Sequence, residues 1–132
     1  MNLLKISNDK LAYFCFRFAL GISILMHGLV RIPKLGEFAN WVSTNFENTI
    51  ISGYSSLLFG YTVPIVEVSI GILILLGGKF IRYGLALGMI LMGILMFGSC
   101  LIEKWEWLVS QLIHLGLFYA LLINKNTPDY TK

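Results

Sequence analysis

Residues 57–102 read LLFGYTVPIVEVSIGILILLGGKFIRYGLALGMILMGILMFGSCLI. Two apolar runs, Leu57 to Leu76 and Ile81 to Ile102, flank the joint Gly77-Gly78-Lys79-Phe80. About 20 helical residues, at a rise of about 1.5 Å each, cross a hydrocarbon core of roughly 30 Å. A joint this short forces the two helices to lie antiparallel as neighbours. Upstream, a third run extends from Leu11 to Val30 and is closed by Arg31, Pro33 and Lys34. Downstream, beyond Glu103 and Lys104, a fourth extends from Trp105 to Ile123. The pattern predicts an all-α integral membrane four-helix bundle, a single domain over residues 1–132. Its spans are expected at about 11–31, 57–77, 81–102 and 105–123. Pro64 falls inside the second run, near its first turns or at a kink, and leaves the start of that span open.

Composition agrees. Hydrophobic residues make up 57% of the chain and charged residues 13%, against about a quarter charged in a soluble domain. The basic pI, near 9.0, is no nucleic-acid signal, because the ten Lys and Arg are scattered and form no basic stripe. The opening MNLLKISNDK has no small-residue cleavage site, so the first run is expected to remain as a helix. Cys15 and Cys100 fall near opposite ends of their spans, on opposite sides of the membrane, too far apart for a disulfide. They read as small buried hydrophobes.

The long connection, residues 31–56, holds Phe38, Trp41, Val42 and Phe46 at helix-like spacing. This predicts a short interfacial helix within about 35–48, with its aromatics at headgroup level. Orientation follows from the basic residues. Lys5, Lys10, Lys79, Arg82, Lys125 and Lys132 share one side, and Arg31, Lys34 and Lys104 the other. The excess places both termini in the cytoplasm.

A charge inside hydrocarbon costs a few kcal/mol even on lenient scales, so intramembrane ionisable residues face a partner or a cavity. Arg17, His27, Glu67 and His114 are such residues. In the first span Arg17, Leu20, Ile24, His27 and Arg31 share one stripe, with Gly21 and Gly28 beside it. Gly60, Pro64, Glu67, Gly71 and Ile74 align in the second, and Trp107, Gln111, His114 and Phe118 in the fourth. Gly84 and Gly88 form a G-x-x-x-G surface for close helix approach. Depth along the spans suggests an ion pair between Arg17 and Glu67, with His114 in the same layer. His27 and Gln111 are expected nearer the outside. No metal-ligand spacing and no catalytic set is present. His27, Arg31, Glu67, Gln111 and His114 are therefore candidates for lining a ligand cavity. A bundle in which these groups bond only one another is the alternative.

Phe16-Arg17-Phe18-Ala19-Leu20-Gly21, then His27-Gly28-Leu29, Arg31 and Lys34, resembles the first-helix signature of the DoxX family. Val66-Glu67, followed by Gly71-Ile72-Leu73-Ile74-Leu75-Leu76-Gly77 and Arg82, resembles its second-helix signature. The resemblance covers roughly residues 11–123; the fourth span is its least family-like part. It implies a small four-helix inner-membrane protein associated with quinone-linked redox or oxidative-stress systems. No redox centre of the chain's own is evident in the sequence, and the resemblance makes quinone the possible ligand. The expected partners are the lipid bilayer and membrane or redox subunits, or further copies of the chain. A non-catalytic accessory or scaffold subunit is the competing expectation, and whether the chain is an enzyme stays open.

Overall fold

The computed structural model describes residues 5–130, and Lys132, counted above on the terminal side, lies outside them. The described residues form helices and turns only. Helix α1 spans Asn8–Leu29, and a 3-10 turn at Ile32–Lys34 leads into α2, Leu35–Asn45. Then follow α3 (Tyr54–Leu76), α4 (Phe80–Leu101) and α5 (Trp105–Leu122). Four of the five, all but α2, are long and apolar enough to cross a membrane, which marks the chain as a multi-pass membrane protein. Their outward faces carry large apolar side chains, such as Phe18 and Met26 on α1 and Ile90 and Phe97 on α4. Contiguous apolar surface of that kind requires lipid or protein against it.

Local chemistry sets the helix ends. Pro33 fixes its own φ and has no N–H to give, which suits the first turn after α1 and stops α1 from continuing. Gly77 and Gly78, at φ 70° and 55°, make the left-handed turn that lets α4 fold straight back along α3. The α4–α5 joint takes the same backbone region at Glu103, φ 56°. There the Glu103 N–H donates to Cys100 C=O and the Lys104 N–H to Ser99 C=O, closing the last turn of α4. Inside α3, Pro64 leaves the Gly60 carbonyl without its helical donor.

Helix α3 is central: α1, α2 and α4 all pack on it, α5 packs on α4, and contact between α1 and α5 is thin. Missing side chains allow the close approaches. Gly28 of α1 lies against Pro64 and Glu67 of α3, and Gly71 of α3 against Leu25 of α1. Gly84 and Gly88, expected to form one surface, serve two. Gly84 receives α3 at Leu73 and Ile74, and Gly88 receives the Phe118 ring of α5. The core between them holds Leu20, Ile24, Ile70, Ile74, Ile81, Leu85 and Phe118.

Helix α2 turns inward. Ala39 sits fully buried on Gly60, and Phe46 is buried against Gly98 of α4. The opposite end of the bundle is tied by tail contacts. Lys125 pairs with Asp9, Arg82 with Asp129 at 3.3 Å, and Thr127 caps the Leu121 carbonyl beside Tyr13. Cys15 and Cys100 are unbridged, but both are exposed and not buried as the sequence suggested.

Candidate functional site

At the α2 end the helices line a cavity of about 370 Å³. That lies within the size range of small-molecule sites. His27, Arg31, Glu67, Gln111 and His114, the candidates from sequence, all line it. The 11-residue α2 contributes Phe38, Trp41, Val42 and Phe46 to the wall, so it closes this end of the bundle.

Glu67 is the anchor. Its side chain is 4% exposed, and Oε2 accepts a hydrogen bond from Arg31 Nη1 at 2.7 Å. The Arg31 guanidinium also lies over the Phe38 ring, 4.7 Å from its centroid. Arg31 thus joins the end of α1 to both α2 and α3. The pair expected between Arg17 and Glu67 does not form. That expectation aligned the ends of the first two spans, but α1 runs two turns or more past the end of α3. Arg17 therefore lies beside Gly77, the residue that caps α3. Gly28, not Arg17, is level with Glu67. Eleven residues separate Arg17 from Gly28, roughly 16 Å of helix rise. The Arg17 guanidinium instead lies near the rings of Tyr13 and Phe14, at 6.0 and 5.6 Å, and its Nε is buried without a hydrogen-bond partner among the described residues.

The histidines meet. Their ring centroids are 5.6 Å apart in an edge-to-face arrangement, although the sequence placed them in different layers. Each Nδ1 lies 2.8 Å from the carbonyl one turn back, Ser23 for His27 and Ser110 for His114. A carbonyl can only accept, so Nδ1 carries the proton, and a neutral ring is left with Nε2 as its acceptor. Across the cavity, Gln111 Nε2 donates to Ser99 Oγ at 2.8 Å, and the Ser99 hydroxyl reaches Gln111 Oε1 at 3.2 Å. Ser99 was not anticipated, yet it is the one serine or threonine in the run from Ile81 to Ile102. The half-buried Gln111 on the neighbouring helix is satisfied by such a partner. Trp41 of α2 and Trp107 of α5 face each other at the rim, with centroids 5.9 Å apart.

No protein-family model, curated protein or solved structure matches this chain. The reading of the site therefore rests on its own chemistry. It has a mostly apolar wall, one charge pair, two imidazoles pinned through Nδ1 and an amide-hydroxyl pair. Among the described residues, no group of three or more His, Cys, Asp or Glu is placed to hold a metal ion.

Proposed function

We propose that this chain is a DoxX-like protein of a bacterial inner membrane, a small subunit of a quinone-linked redox or oxidative-stress system. The carrying observation is the convergence of His27, Arg31, Glu67, Gln111 and His114 on one largely apolar cavity. A quinone head needs an apolar slot with a few hydrogen-bonding groups at its oxygens, and this wall fits. When bound, a quinone or quinol would supply the two-electron chemistry. The chain's own part is to hold and orient the ring. Phe38 and Trp107 offer flat apolar contact, Gln111 and Arg31 offer donors, and His27 and His114 can accept a proton at Nε2. Electrons would enter from a partner subunit.

The test is lipid content. Protein purified gently in mild detergent is expected to carry quinone or quinol in native mass spectrometry, and His114→Ala to lose most of it. A preparation that retains a partner protein but no quinone would favour the accessory-subunit reading. The thinly covered α5, with Val109, Leu112 and Ile113 exposed, suits such docking.

In this proposal both termini are cytoplasmic, and α2 lies along the outer membrane surface with Trp41 among the headgroups. The expected result concerns Lys5→Cys in a background lacking Cys15 and Cys100. It reacts with an impermeant maleimide only after the cytoplasmic side is opened. Labelling of intact cells at that position would invert the topology.

A further inference from the structure

The end of the bundle away from the cavity carries cations without partners. Its described acidic side chains are Asp9 and Asp129, and Lys125 and Arg82 engage them. Lys5, Lys10, Arg17 and Lys79 have no carboxylate within ion-pair distance among the described residues. The three lysines are exposed, whereas Arg17 is half-buried. Its Nε is buried, and its guanidinium makes no hydrogen bond to a described residue. An arginine has five N–H donors, and leaving them unmet away from water is costly. Two contacts hold the group in place. Arg17 Nη1 lies where a Cβ of Gly77 would stand, at the carbonyl end of α3, which favours positive charge. The guanidinium also reaches back to the Tyr13 and Phe14 rings, at 6.0 and 5.6 Å, so it points along α1 towards the membrane surface. Lys10 and Phe14 share that face of α1, and Lys79 follows Gly77 in the α3–α4 turn. Phe14 stacks on Phe18, and both rings are exposed. They make an apolar strip that runs from the cations into the bilayer.

From this arrangement we infer that the chain binds an anionic phospholipid at this end. Arg17 receives the headgroup phosphate, Lys10 and Lys79 flank it, and an acyl chain lies along Phe14 and Phe18. A planar guanidinium matches phosphate oxygens and adds charge to each hydrogen bond. Basic clusters at the surface of a span favour anionic headgroups in the same way. A zwitterionic headgroup brings an ammonium that the unpaired cations repel. Free phosphate shares the headgroup chemistry but has nothing to lay on the phenylalanines, so the lipid is the expected source. The site is separate from the cavity and does not depend on the proposed redox role.

Native mass spectrometry of the delipidated protein in mild detergent tests this, by titration with phosphatidylglycerol and phosphatidylethanolamine of identical acyl chains. The first phosphatidylglycerol is expected to bind about fivefold tighter or more, the effect of a single Lys or Arg near an anionic headgroup. Arg17→Gln is expected to weaken it about fivefold and to leave phosphatidylethanolamine unchanged. Arg17→Lys, which keeps the charge, should lose less. Lys34→Gln, at the opposite end, should lose nothing. The exposed Lys79→Gln reads the same site with a loss in the same direction, even if Arg17→Gln folds poorly. Equal binding of the two lipids overturns the inference. So does a preference that survives both Arg17→Gln and Lys79→Gln, or one that Lys34→Gln removes as effectively. Inorganic phosphate at the lipid's concentration should leave the lipid bound; displacement would assign the site to a free anion and overturn the lipid.

Discussion

Arg31→Met is expected to destabilise the protein by about 3–5 kcal/mol, the usual cost of stranding one partner of a buried ion pair. The cost falls on Glu67, whose side chain is 4% exposed and has no other cation in hydrogen-bond contact among the described residues. Glu67→Met should cost less, because the Arg31 side chain is 29% exposed and can turn outward to water or headgroups. The double replacement should lie below the sum of the two, since the residues share one interaction. Arg17→Met is the informative control. Among the described residues it strands no carboxylate and removes only ring contacts at 5.6 to 6.0 Å, worth about 1 kcal/mol. Unfolding in mixed detergent micelles, followed by circular dichroism, would rank the variants. Equal losses for Arg31→Met and Arg17→Met would mean that the Arg31–Glu67 contact carries no special weight.

Gly28→Ala is expected to be nearly as damaging, although it adds a single carbon. A Cβ there would run into the Pro64 backbone carbonyl and stand 2.9 Å from Glu67 Cβ and Val68 Cγ2. A backbone oxygen cannot swing aside, so α1 must move away from α3. Overpacking of this kind costs about 1–3 kcal/mol. The displacement also draws Arg31, three residues further on in the turn that follows α1, away from Glu67. The loss should therefore appear twice, in unfolding and in retained ligand. Gly93 and Gly116 have open space where a Cβ would stand, so Gly93→Ala and Gly116→Ala should be close to neutral. If Gly28→Ala unfolded together with Gly116→Ala, close packing of α1 on α3 at this level would be ruled out.

Sequence alone determined the architecture, because the hydrocarbon thickness of a bilayer imposes a length on every span. A span must be about 20 apolar residues whatever it packs against, so α1, α3, α4 and α5 were legible from composition and period. The inner faces were legible for the same reason. His27, Glu67, Gln111 and His114 are expensive in lipid, so they had to turn inward. Rotation about a helix axis follows from a repeat of 3.6 residues. Translation along the axis does not, and that is what only the tertiary structure decided. The sliding of α1 past α3 is set by Gly28 seating on Pro64 and Gly71 seating on Leu25, contacts between residues far apart in the chain. That offset gives Glu67 to Arg31 and leaves Arg17 near the Tyr13 and Phe14 rings. It also brings His27 beside His114 and puts Ala39 of α2 onto Gly60. Residue type could nominate the polar groups of the cavity; only the packing register could pair them.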